Sequence, residues 1–66
     1  MEILINGEAQ QVHDACTVAD LLDSLSLTDK RLALEVNLEI VPRSAYAEHR
    51  LVAGDRVEIV QAIGGG

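Results

Sequence analysis

One stretch of this chain repeats its apolar residues at helical spacing: Val18, Leu21, Leu22 and Leu25, at i, i+3, i+4 and i+7. Asp20, Asp23 and Ser24 lie opposite, so the helix has one stripe to bury. Thr17-Val18-Ala19-Asp20 marks its start, an N-cap threonine with an acid three residues on that can satisfy orphan amides and complement the helix dipole. The other apolar segments alternate or are short. A lone striped helix among strands must lie on a sheet, which predicts a two-layer α+β domain.

The strands read off in order. Glu2-Ile3-Leu4-Ile5 before Asn6-Gly7 predicts a hairpin, because Asn-Gly tolerates the positive φ angles of a type I′ turn; residues 8–12 would return. Leu32, Leu34 and Val36 alternate with Ala33 and Glu35, and Asn37-Leu38-Glu39 turns the chain. Ile40-Val41 predicts a short strand ended by Pro42, which lacks an amide and belongs at an edge. Ser44 would then cap a helical turn through Ala45, Tyr46 and Ala47. Arg50-Leu51-Val52 reads as a short extended piece, and Ala53-Gly54-Asp55 as a tight turn into a last strand whose Val57 and Ile59 face inward and Glu58 and Val60 outward.

Joining the hairpin to the third strand through the helix demands a crossover, and a central first strand paired parallel with the last would bury both. The expected fold is therefore a ubiquitin-like β-grasp: a mixed four- to five-stranded sheet on one helix, with a short helical turn before the last strand. No repeat or linker interrupts residues 1–66, and at this length the chain forms one small domain that buries about 60% of its unfolded surface. The composition is 48% hydrophobic with Tyr46 the sole aromatic, so the core is aliphatic.

The last strand runs through Gln61-Ala62-Ile63 into Gly64-Gly65-Gly66. Glycines add no packing and lose the most freedom on ordering, so residues 62–66 are expected to form a flexible tail reaching roughly 15 Å when extended. Lacking Cβ atoms, it could thread a narrow slot and present an unhindered α-carboxylate. A frayed end has the same composition, so the tail gains meaning from the rest of the chain.

Charge narrows the partners. A net charge of −6 opposes nucleic acid and anionic membranes and favours a partner with a basic docking surface. Cys16 is alone, so there is no internal disulfide framework. Met1 leads straight into a strand-like segment and no apolar run approaches spanning length, from which a cytoplasmic location is expected. The sequence has no Gly-x-x-x-x-Gly-Lys-Ser/Thr loop, no Gly-x-Gly-x-x-Gly after a strand and no Cys/His spacing of a metal site, so neither metal nor bound cofactor is expected. A metal pair of Asp20 and Asp23 is weighed against solvated acids near a helix start, which are far commoner.

Asn37, Ile40-Val41-Pro42-Arg43, Tyr46, Leu51, Gly54-Asp55, Val57-Glu58-Ile59-Val60 and Gly65-Gly66 together resemble the ThiS sulfur carriers of thiamine thiazole synthesis, over essentially the whole chain. The resemblance implies a carrier rather than an enzyme. An E1-like adenylyltransferase (ThiF type) would use ATP and Mg²⁺ to adenylate the Gly66 carboxylate. Sulfur from a donor such as a cysteine desulfurase relay would replace the AMP, and the thiocarboxylate would serve thiazole synthase (ThiG type). Gly65 and Gly64 would thread the partner's active site. Leu4 and Val60, in outward phase on adjacent central strands, are candidates for a docking patch. Two alternatives stay open. One is a small-subunit carrier of molybdopterin synthase type, against which Val60-Gln61-Ala62-Ile63 stands where a Phe- and Pro-rich approach is expected. The other is a β-grasp interaction module with an idle tail. Cys16, without a base near it in sequence, reads as incidental; His13 and His49 read as surface or structural, Arg43 as paired with surface acids, and Lys30 as solvated.

Overall fold

The computed structural model describes residues 1–28 and 30–61. Strand β1 (Glu2–Ile5) turns at Asn6 and Gly7, with φ of 50° and 85°, into β2 (Glu8–Gln11). Helix α1 (Val18–Ser24) follows, then β3 (Leu32–Val36), a short β4 (Glu39–Ile40), a 3-10 turn (Arg43–Ala45) and β5 (Arg56–Gln61). The five strands lie in the order β2-β1-β5-β3-β4. Only β1 and β5 run parallel; the other pairs are antiparallel. This is the β-grasp arrangement, with first and last strands central, as the crossover argument required.

The alternation of β1, β3 and β5 sets which side is core. Ile3, Leu34, Val57 and Ile59 point to one face and are buried there with Val18, Leu21 and Leu22 of α1. Cys16, Val36, Val41 and Leu51 complete the cluster, while Ile5, Leu27, Leu32 and Tyr46 pack at its margin. Full burial of an aliphatic side chain of this size contributes about 1.5–3 kcal/mol. A domain this small depends on each one.

Both ends of α1 are set by local chemistry. At the start, Thr17 Oγ1 accepts from Asp20 N and Asp20 Oδ2 accepts from Thr17 N, each at 3.1 Å, the reciprocal capping box foreseen from the sequence. At the end, Ser26 takes φ 60°, its N–H donates to Asp23 O at 3.0 Å, and Leu27 N–H donates to Leu22 O at 2.8 Å. These are the two bonds of a Schellman motif, here closed by serine instead of glycine. The expected stripe is corrected at its last member: the helix stops at Ser24, Leu25 is 38% exposed, and Leu27 turns in to the core margin instead.

Two other expectations move, and a third is met by a single bridge. The helical turn expected after Ser44 starts two residues earlier, at Arg43, directly after Pro42, and Ser44 makes no cap bond. The short fourth strand is Glu39–Ile40, not Ile40-Val41: Asn37 and Leu38 form the turn at φ 53° and 70°, with Val36 and Glu39 paired across it. The segment expected to be extended at Arg50-Leu51-Val52 makes one bridge, Arg50 to Thr17, with Leu51 buried.

The capping box makes a pH prediction. The Thr17 amide donating to Asp20 holds its carboxyl below the usual range, helped by the Thr17 side chain and, after opposition from desolvation, by His13. A depressed folded pKa gives stability that is full above the unfolded value and is lost as pH falls through the folded one. Thermal melts from pH 5 downward should therefore show a shallower loss of Tm in Asp20→Asn than in the parent protein; parallel profiles would remove the box from the acid transition.

Candidate functional site: the last strand and the open sheet face

Strand β5 leads into the glycines and is the most constrained element of the sheet. On one side Val57 pairs with Ile5; on the other, residues 57–61 pair with residues 36–32 of β3, ending at Gln61 opposite Leu32. Two asparagine side chains complete it. At its start Asn37 N donates to Arg56 O at 2.8 Å, and Asn37 Oδ1 accepts from Arg56 N at 3.0 Å. Asn37 Nδ2 also donates to Asp55 Oδ1 at 3.0 Å, and Asp55 Oδ2 accepts from Val52 N at 2.9 Å. Those bonds satisfy the buried Asp55 carboxylate within the Val52–Asp55 turn.

Near its end β5 outruns β1, which has already turned at Asn6. The Asn6 side chain takes over, Oδ1 accepting from Ile59 N at 2.8 Å and Nδ2 donating to Ile59 O at 3.2 Å. A side-chain amide carries the same donor and acceptor as a peptide, so one turn residue extends the ladder where the backbone cannot. The sequence reading gave Asn6 only its turn role. No sequence signal separates the two, because the second role depends on the β1–β5 register.

The face away from α1 has no covering layer among the described residues. Leu4 and Val60 both point to it, as their phase predicted; Leu4 is half-buried and Val60 is 67% exposed. They do not form one contiguous pair. Leu4 lies opposite Arg56, and Val60 is four residues further along β5, about 13 Å at the usual rise. A shallow recess connects them, lined also by Asn6, Gly7, Arg56 and Glu58. Across β5, Val60 faces Ala33 and Glu58 faces Glu35, whose far neighbour is the exposed Ile40. Like charges directly opposite in an antiparallel pair destabilise a sheet. Glu35 and Glu58 were not singled out in the sequence, because only the register shows that they meet.

The other expectations resolve as follows. Gly64, Gly65 and Gly66 lie outside the described residues, as does the tail as a whole. Among the described residues Arg43 pairs with no acid; its Nη2 donates to Lys30 O at 3.2 Å. Lys30 is exposed, and His49 is half-buried with its backbone carbonyl accepting from Val18 N. The view of Cys16 as isolated, and of His13 as lacking paired ligands, is corrected. One ligand atom each from His13, Cys16 and Asp20 lie within 4.8 Å of one another. Cys16 is buried, which pushes its thiol pKa up, and the Asp20 charge pushes it further. That environment favours the protonated thiol and opposes a role as an activated nucleophile.

Replacing Asn6 by glycine isolates its second role, since glycine keeps the positive φ of the turn and deletes the amide. Asn6→Gly should destabilise the fold by about 1–3 kcal/mol, from two peptide groups losing their partners, and should accelerate exchange of the Ile59 amide above that of Val57. Equal acceleration at both positions would mean that the turn, not the side-chain ladder, carries the effect.

The chain matches the ThiS family over residues 3–66. It is 39% identical to the sulfur carrier protein ThiS of Escherichia coli, with the whole of each chain covered. It is 46% identical to a stretch of the thiazole synthase of Paramagnetospirillum magneticum, of which it spans 20% of the length. In structure it superposes on the thiamine biosynthesis protein ThiS of Geobacter metallireducens with a TM-score of 0.82, at 30% identity and full coverage of both chains.

Proposed function

Because the chain belongs to the ThiS family, we propose that it is a sulfur carrier of thiamine biosynthesis whose Gly66 carboxylate is the working group. A carboxylate resists nucleophiles because it is anionic and has no good leaving group. An E1-like adenylyltransferase overcomes both obstacles with ATP and Mg²⁺, joining the Gly66 carboxylate to AMP and releasing pyrophosphate. The terminal sulfur of a persulfide, from a donor such as a cysteine desulfurase relay, then attacks the acyl carbon and AMP departs. A thiol reductant cleaves the resulting acyl disulfide, itself ending as a disulfide with the donor sulfur. The product is a Gly66 thiocarboxylate, which gives its sulfur to thiazole synthase. The chain is the substrate of each step and catalyses none.

The observation that carries this reading is the family match running through Gly66, on a chain whose last described strand is held in the sheet centre to Gln61. Glycine gives the least crowded acyl carbon, and Gly64 and Gly65 suit a narrow partner channel. Ordering four tail residues there costs on the order of 4–8 kcal/mol, which contacts from the folded body must offset. The open face offers Leu4, Val60 and Ile40 as apolar contacts. Glu35 and Glu58 beside them match a basic partner surface, which would relieve their mutual repulsion. The P. magneticum thiazole synthase, which contains a stretch like this chain, supports thiazole synthase as the acceptor.

Intact-mass analysis after incubation with the adenylyltransferase, ATP, Mg²⁺ and a sulfur donor should show one oxygen replaced by sulfur, mapped to Gly66. An unchanged mass with a partner active on its own carrier would overturn the proposal. Appending one alanine after Gly66 should leave the fold intact and abolish adenylation, because the acyl carbon shifts out of register and gains a Cβ. Val60→Asp should keep the fold and weaken adenylyltransferase binding by roughly tenfold or more, the consequence of desolvating an unpaired carboxylate; undiminished binding would exclude Val60 from the interface.

A further inference from the structure

The loop between β2 and α1, together with the first turn of α1, gathers three metal-ligating side chains for which the carrier chemistry has no use. The backbone brings them together. Ala15 adopts φ 62°, a left-handed conformation that turns Cys16 inward beneath the helix start, while His13 and Asp20 stay at the surface on either side. Their ligand atoms, an imidazole nitrogen, a thiol sulfur and a carboxylate oxygen, all lie within 4.8 Å of one another. We propose that His13, Cys16 and Asp20 form a binding site for a thiophilic divalent cation of the Zn²⁺ class, completed by a water ligand.

The donor set fits that class. A thiolate with an imidazole selects Zn²⁺ or Co²⁺ over Mg²⁺ and Ca²⁺, which take oxygen donors. Tetrahedral zinc, with bonds of about 2.0–2.3 Å, holds its donors roughly 3.3–3.8 Å apart. His13 and Asp20 are exposed, so their side-chain torsions can close the difference of about 1 Å without moving the core. His13 Nδ1 lies 3.0 Å from Asp14 O; with the proton on Nδ1, Nε2 is left as the donor. Asp20 Oδ2 accepts from Thr17 N, and a carboxylate has a second oxygen, so capping and ligation are compatible. The charges balance: binding releases the Cys16 thiol proton, and one thiolate and one carboxylate neutralise the dication.

The test uses reduced, tag-free, metal-free protein titrated with Co²⁺ and then with Zn²⁺ in competition. The expected result is one equivalent bound, with a thiolate-to-cobalt charge-transfer band that Zn²⁺ abolishes. Cys16→Ala should eliminate the band. His13→Ala, at an exposed position that leaves the core unaltered, should weaken binding on the order of 100-fold. Absence of saturable one-to-one binding would overturn the proposal, as would binding that His13→Ala leaves unchanged, since the metal would then sit elsewhere. Sulfur loading of Gly66 is read separately by mass, so failure of either assignment leaves the other standing.

Discussion

The structure depends on the hydrogen-bonding of β5. It lies between β1, which it pairs parallel, and β3, which it pairs antiparallel, and asparagine side chains meet it at Arg56 and at Ile59. Buried peptide groups must find partners, and a strand whose two neighbours turn away, β1 at Asn6 and β3 at Asn37, runs short of backbone to supply them. Asn6 and Asn37 resolve this from two different turns, each with φ near 50° and each offering its amide to the strand beside it. Whatever grips the chain beyond Gln61 therefore pulls against the centre of the sheet, not against an edge that could peel. For a carrier, that makes the folded body a firm handle.

The same sheet separates stability from recognition by face. Toward α1 the side chains are aliphatic and closed to water. On the opposite face, Val60 and Ile40 stay exposed and Glu35 meets Glu58 directly. Neither feature helps an isolated domain. An opposite charge at either glutamate would favour the strand pair, and a polar residue at Val60 would lower the exposed apolar area. Both features gain value against a surface that is basic and partly apolar, where the repulsion is relieved and the apolar side chains leave water.

What could be read from the sequence was whatever local chemistry determines. The Asn6-Gly7 turn, the Thr17 capping box and the alternation in β1, β3 and β5 each follow from residues within a few positions of one another, and together they imply the helix-on-sheet fold. The misplacements share a cause as well. Leu25 continues the stripe at perfect spacing, yet Ser26 adopting a left-handed conformation ended the helix before Leu25 could use it; serine gives no warning of that. The 3-10 turn begins at Arg43, directly after the extended Pro42, which ends the preceding segment and stands as the turn's N-cap. The second role of Asn6, the Glu35–Glu58 pairing and the meeting of His13 with Cys16 and Asp20 are products of register or of Ala15's conformation. No window along the chain contains that information. The glycines at 64–66 are the reverse case, legible as chemistry from the sequence and lying outside the described residues.

The use of glycine ties these observations together. Of five glycines, three are at 64–66, leaving Gly7 and Gly54 for the folded body, both at positive φ. Among the described residues, five others also take positive φ: Asn6, Ala15, Ser26, Asn37 and Leu38. For Ala15 and Leu38 that conformation costs on the order of 1–2 kcal/mol each, a large share of what a domain this small can spare. Glycine would relieve the strain, but it would also loosen the unfolded chain and surrender the side chain. At Leu38 the strained turn carries the chain from Val36 in the core to Val41 in the core through two residues of edge strand, which leaves Ile40 on the open face. At Ala15 it sets Cys16 beneath the helix start. Strain therefore sits where the backbone must reverse abruptly to deliver a particular side chain, and it persists because the core on both sides of each turn determines the path.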